Sequence, residues 1–148
     1  MKFNVDKCKV LTLGKERNPQ YSLGSNILDT SNSERDLGVL VSGDLKPRQQ
    51  CISARNKANS MLGFITRSVM NKNSEVILKL YLALVRPHLD YAAQFWSPYH
   101  RVDINSLKSV QRRMTKMIPS IKNLPYAERL RSLRLHSLER RRARGDMI

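Results

Sequence analysis

Four basic residues in the second half of the chain, Lys108, Arg112, Arg113 and Lys116, recur at spacings of three and four. On a helix that spacing puts them on one side, opposite Leu107, Val110, Met114 and Met117. A second group, Arg140, Arg141, Arg142 and Arg144, falls within about one helical turn. Like charges this dense repel one another, and an anion relieves them. The chemistry they suit is the holding of phosphate oxygens. Such contacts position a nucleic-acid backbone without reading its bases, and they weaken steeply as salt rises. The whole chain carries a net charge of +15 and a pI near 10.4, with the basic weight toward its C-terminus. That balance favours polyanionic partners, either nucleic acid or an anionic surface.

Signals for catalysis are scarce by comparison. The 12 carboxylates include no adjacent pair of the kind that holds two cations about 3.5–4 Å apart for phosphoryl transfer. Glu34 and Asp36 come nearest, flanking Arg35 in what reads as a polar loop, where they are solvated charges. His88, His100 and His136 are scattered, with no H-E-x-x-H and no cysteine pair, so no zinc site is expected. Neither G-x-x-x-x-G-K-[ST], G-x-G-x-x-G nor G-x-S-x-G occurs. Arg144-Gly145-Asp146 spells an adhesion tripeptide, a chance product of a basic chain. No cofactor, metal or small-molecule substrate is expected for this chain. Cys8 and Cys51 lack a C-x-x-C spacing and read as buried free thiols of a reducing compartment, with a disulfide between them as the unsupported alternative.

The elements that must position these residues change character near residue 44. The first 44 residues read as a small antiparallel β unit, with strands at about 8–13, 21–23, 27–29 and 37–41. Gly14, Asn18-Pro19, Gly24-Ser25-Asn26 and Ser42-Gly43-Asp44 supply the turns, and 30–34 reads as polar loop. From Leu45 the period becomes helical, and residues 45–148 read as a basic, mainly α-helical bundle, giving an α+β chain of two parts. Pro47 fits a first helical turn, ahead of Cys51, Ala54, Ala58, Met61, Leu62, Ile65 and Val69 at threes and fours. Asn73-Ser74 caps a second helix carrying Ile77, Leu80, Tyr81, Leu84 and Val85, which Pro87 ends or kinks, with a turn over 88–95. Asp103 caps a third helix, whose inward residues are Ile104, Leu107, Val110, Met114, Met117 and Ile118. Pro125 and Ser137 open a fourth and a fifth.

Aromatic residues admit two roles. Trp96 and Tyr91 have the faces on which bases stack in single-strand binders, but aromatics among helices are usually core, and the core reading is preferred. Tyr81, on the face of Ile77 and Leu84, is core.

Taken together, the stretches NVDKCKVLTLG, DLGVLVSGDLKP, ARNKANSMLGFITR, ILKLYLALVRPHLDYAAQFWSP, LKSVQRRMTKMIP and LERRRARGDMI resemble, in order, the C-terminal part of a non-LTR (LINE-type) retrotransposon reverse transcriptase. The block PHLDYAAQFWSP followed by the basic QRRMTKMI helix is the most specific piece. The resemblance implies the last palm elements and the thumb of an RNA-directed DNA polymerase. Asn4-Val5-Asp6-Lys7 resembles the palm turn whose lysine protonates the leaving pyrophosphate, which makes Lys7 a vestigial general-acid candidate. Leu37, Gly38 and Val39 resemble the primer-grip hairpin, and a glycine in a strand suits close approach of a backbone. The family's Tyr-x-Asp-Asp strand and its Mg2+ ions belong to a region expected before Met1, and RRRARGDMI resembles a block that normally continues.

The expectation is therefore a truncated reverse transcriptase that grips a primer–template backbone, RNA/DNA hybrid or duplex, without polymerising. A stand-alone basic nucleic-acid-binding module and a remnant open reading frame are the alternatives. Without carboxylates to serve, Lys7 is an ordinary exposed lysine. No apolar run approaches the ~20 residues of a membrane span, and the N-terminus lacks the pattern of a secretory signal. An intracellular chain, nuclear or cytoplasmic, with no membrane partner is expected.

Overall fold

The computed structural model describes residues 4–14 and 20–145. The predicted Asn18-Pro19 turn, the carboxylate of Glu16 and the Asp146 of the tripeptide lie outside the described residues. The class is α+β. The chain divides into two units, Met1–Gln50 and Cys51–Ile148, a few residues beyond the change of period at 44.

In the first unit, Asn4 caps a single 3-10 turn, Val5–Lys7, its Oδ1 accepting from the Asp6 amide at 3.1 Å. Strand β1 (Lys9–Leu11) follows. It is shorter than the expected 8–13 because its partner is short. The ladder runs only from Lys9 opposite Asp29 to Leu11 opposite Ser31. That partner is β4 (Asp29–Ser31), and the pairing is parallel, where an antiparallel unit was expected. Between them, β2 (Ser22–Leu23) and β3 (Asn26–Ile27) form an antiparallel hairpin across Gly24-Ser25. Gly24 takes φ +64, a value glycine adopts without a Cβ penalty.

The segment 30–34, read as polar loop, is strand instead: it contributes to β4 and to β5 (Ser33–Asp36), which pairs antiparallel with β6 (Val39–Ser42). Polar composition argued for a loop only if strands needed a buried face. Here the ladder alone holds them. Among the described residues of this unit no hydrophobic side chain is buried; Ser42 and Gln50 are the buried ones. Gln50 Oε1 accepts the Leu40 amide at 2.9 Å.

The strand ends are knit by backbone. Gly14 N–H donates to the Gly43 carbonyl and Gly43 N–H to the Asn32 carbonyl, both at 2.9 Å. A Cβ on Gly43 would stand 2.7 Å from the Thr12 carbonyl oxygen, so this crossing of β1 and β6 excludes any side chain. Beyond it, Asp44 Oδ1 accepts from the Ser42 hydroxyl at 2.6 Å and the Lys46 amide at 3.0 Å. Those bonds, the hydroxyl's first, hold the Asp44 carboxyl below its ordinary pKa.

The second unit holds every buried hydrophobic residue among those described. Helix α1 (Arg48–Ser68) begins just after Pro47 and buries Cys51, Ala54, Ala58, Leu62 and Ile65. Asn73 caps α2 (Ser74–Leu80) by accepting the Glu75 amide at 3.1 Å, as its sequence predicts. Pro87 does not end the helix. A π turn, Tyr81–Val85, comes first, in which the Arg86 amide reaches back to the Tyr81 carbonyl, and α3 (Arg86–Asp90) continues through the proline. The wide turn removes the i−4 clash that proline otherwise makes. Ile77, Tyr81, Val85 and Leu89 are buried along it, while Leu84, expected inside, is exposed.

Part of the segment read as a turn over 88–95 is also helical. Ala92, at φ 49, breaks direction, and α4 (Ala93–Trp96) follows. Helix α5 (Arg101–Lys116) starts two residues before Asp103, which sits buried in its first turn; Leu107, Val110, Met114 and Ile118 face inward. Pro125 and Ser137 precede α6 (Tyr126–Ser132) and α7 (Leu138–Gly145) as predicted, burying Leu130, Leu133 and Leu138.

Candidate nucleic-acid interface

The predicted basic stripe lies on α5, opposite its buried arc. Arg113 and Lys116 are exposed there. Arg112 is exposed too, and its guanidinium lies 5.1 Å from the ring centroid of Tyr126, a cation–π distance. Lys108 is half-buried and ion-paired with Glu139 of α7 at 3.4 Å. The four therefore share a side, but only Arg113 and Lys116 are surface cations with no other role seen.

The α7 cluster separates further, which corrects its reading as one anion-binding group. Arg140 is exposed. Arg141 donates from Nε to Asp90 Oδ2 at 2.6 Å. Arg144 Nη1 lies 3.3 Å from His136 Nε2. Arg142 is buried, donates from Nη2 to the Leu89 carbonyl at 3.0 Å and lies 5.1 Å from the Trp96 ring centroid. Successive residues of a helix step round its axis by about 100°, so adjacency in sequence does not put these side chains on one surface. Arg142 is a core residue, tying α7 to α3 and α4. Trp96 is core as predicted, its indole N–H donating to the Tyr91 carbonyl at 2.8 Å; Tyr91 itself is exposed.

The palm-like residues fall in the first unit. Lys7 is exposed at the end of the 3-10 turn. Leu37 and Gly38 are not strand residues, as the span 37–41 had them, but the two-residue turn between β5 and β6, with φ of 44 and 84. Positive φ at both positions matches the twist of a tight hairpin, a place where glycine is at ease and leucine is not. Leu37 is 85% exposed at the tip, and Val39 begins β6. Arg35 Nη1 donates to the Gly38 carbonyl at 3.3 Å and steadies the turn.

Other cations of the second unit escaped sequence reading. Arg129 is buried, donating to Thr115 Oγ1 at 2.9 Å and the Arg112 carbonyl at 3.3 Å, with its guanidinium 5.6 Å from the Tyr126 centroid. Burial, partly offset by Arg112 and Arg129, pushes the Tyr126 hydroxyl pKa up. Tyr126 donates to Gln111 Oε1 at 2.8 Å, and Gln111 Nε2 donates to the His136 carbonyl at 3.0 Å. Arg86 Nε shares Asp90 Oδ2 with Arg141 at 3.1 Å. The Arg86/Asp90 spacing of four was a visible signal for that pair; the rest depends on the packing of α6 and α7.

Among the described residues no three His, Cys, Asp or Glu come together. The free thiols are Cys51, buried, and Cys8, half-buried. No described helix is long and apolar enough to cross a membrane. No protein-family model, no curated protein and no solved structure matches this chain.

Proposed function

We propose that this chain binds the phosphate backbone of a primer–template duplex or RNA/DNA hybrid, as the late-palm and thumb part of a LINE-type reverse transcriptase would, and does not itself polymerise. The observation that carries the reading is the exposed row of Arg112, Arg113 and Lys116 on α5, backed by buried Leu107, Val110 and Met114, in a chain of net charge +15. A rigid helix with one face locked in a core presents its opposite cations at fixed spacing, which suits a regular polyanion. The β5–β6 hairpin, with Leu37 and Gly38 at its tip, supports the primer-grip part of the reading.

A filter-binding titration of duplex and hybrid across a salt series tests it. Affinity is expected to fall steeply as salt rises. An affinity indifferent to salt would remove phosphate contacts as the mechanism. Primer extension by the chain is expected to be blank, and incorporation above background would overturn the non-polymerising part.

One observation favours a second reading. Among the described residues all buried hydrophobic ones lie from Cys51 onward, so the helical unit has the makings of a nucleic-acid-binding module that folds on its own core. A single cooperative thermal transition of the full chain, with the salt-dependent binding retained, supports that reading. A broad, uncooperative melt favours a remnant without a working fold.

A further inference from the structure

A cavity of about 70 Å³ opens where the π turn and α3 meet α5 and the residues between α6 and α7. Tyr81, Arg86, Gln111, Arg134, His136 and Arg141 are among the residues lining it. The Tyr81 side chain is fully buried, and its hydroxyl has no hydrogen-bond partner. Buried polar atoms are nearly always satisfied, so an orphaned hydroxyl beside a cavity points to something that sits there. Burial, reinforced by Asp90, raises the Tyr81 pKa, which keeps the hydroxyl a donor at neutral pH.

The cations around the cavity are prepared to accept an anion. Arg86 and Arg141 both spend Nε on Asp90 Oδ2, at 3.1 and 2.6 Å, which leaves each two Nη groups. Arg134 is held at φ 52 just past the end of α6. Its amide donates to the Arg131 carbonyl at 3.0 Å, and the Leu135 amide to that of Leu130 at 2.8 Å. That pair of bonds is the Schellman close of a helix, and its left-handed position is one where glycine is the usual occupant. An arginine there bears backbone strain, at a residue that lines the cavity. Gln111, with both ends of its amide engaged, is wall and not ligand. Three arginines therefore line the space, two of them bound to the carboxylate of Asp90, and one water needs about 10–15 Å³ of such space. The cavity has room for one phosphoryl group or a few waters.

We propose that this cavity seats a single phosphate group of a nucleic-acid backbone, its oxygens held by Arg86, Arg134 and Arg141 and by the Tyr81 hydroxyl. The proposal rests on the backbone-binding reading given above, and adds to it a discrete anchoring point away from the α5 row.

The test uses the full chain, wild type and the variants Arg134→Gly and Tyr81→Phe. Glycine suits the left-handed position and phenylalanine removes only the orphaned hydroxyl, so both variants are expected to melt no lower than wild type. Inorganic phosphate, titrated against chloride at matched ionic strength, is expected to shift the Tyr81 ring resonances saturably in wild type and not in Arg134→Gly. Duplex affinity is expected to fall about tenfold in Arg134→Gly, the loss of one charge-assisted contact, with the salt slope shallower by about one. It is expected to fall several-fold in Tyr81→Phe with the slope unchanged. If wild type binds duplex with a steep salt slope and both variants bind equally well, backbone binding stands, the cavity holds only water and the proposal is overturned. If phosphate saturates the cavity but the chain binds no nucleic acid, the backbone as the source of the phosphate is overturned together with the reading beneath it.

Discussion

Arg141 Nε donates to Asp90 Oδ2 at 2.6 Å across 51 positions of sequence, and the same oxygen accepts Arg86 Nε at 3.1 Å. One carboxylate thus couples α7 to α3. Asp90→Asn keeps the shape and removes the charge. With Asp90 mostly shielded, the loss is expected to be about 1–2 kcal/mol of stability, read as a lower melting temperature. Duplex binding should tighten at the same time, because the two arginines lose their internal counter-ion. A variant that melts lower and also binds more weakly would show that the pair serves only structure.

The cations of α5 and α7 are expected to separate by salt dependence. Arg113→Ala and Lys116→Ala should each leave the melt unchanged and make the slope of log affinity against log salt shallower by about one. Arg142→Ala should cost roughly 2–4 kcal/mol through its carbonyl bond and its seat over Trp96. In that variant the slope should match wild type under conditions where the chain stays folded. Parallel titrations and thermal melts of the three variants check this.

Gly43→Ala places a methyl 2.7 Å from a backbone oxygen that cannot rotate away. The expected cost is about 1–3 kcal/mol, confined to the first unit. Hydrogen exchange should show faster exchange at the Gly14 and Gly43 amides, with the amides of α5 unaffected. Unchanged protection at Gly14 would show that the strands can spread at no cost.

Stability should also decline in alkali. Burial raises the Cys51 thiol from about 9.0 to about 11, with Asp103 adding to the rise and Arg142 opposing it. The unfolded chain ionises first, so this contribution is fully present below pH 9 and is lost as pH rises through 11. Tyr126, raised by burial, acts in the same direction at higher pH. Denaturant melts from pH 8 to 11 should show the decline, and Cys51→Ala should flatten it between 9 and 11. Cys8 should react with thiol reagents at pH 8 well before Cys51.

Helical periodicity was the most legible part of the sequence. The inward faces of α1 and α5, the Asn73 cap and the starts at Pro125 and Ser137 follow from spacing and end signals alone, because a helix is settled by neighbours three and four apart. Strands are settled by partners far along the chain. Nothing in the polar stretch 30–34 announces that β4 will lie parallel to β1, or that Leu37 will occupy a left-handed turn that composition assigns to a strand. The basic site was legible in its chemistry and only partly in its geometry. Charge density singled out 140–144, but whether an arginine meets solvent, a carboxylate or an indole depends on what α7 packs against. Arg86, Arg129 and Arg134 carried no such density and went unseen.

The wide turn at Tyr81–Val85 has a consequence for spacing along the chain. In effect it is a one-residue insertion, and each residue of a regular helix advances the azimuth by about 100°. Everything from Arg86 onward is therefore rotated relative to α2 by an offset that a plain helix would lack. Deleting Leu82 or Ala83 would restore even winding and bring Pro87 into collision with the preceding turn, while Asp90 would keep nearly its present azimuth, because the lost residue and the lost offset cancel. The offset acts as a phase adjustment: it lets a proline remain inside a continuous rod and sets the azimuth at which the far end of that rod meets α7.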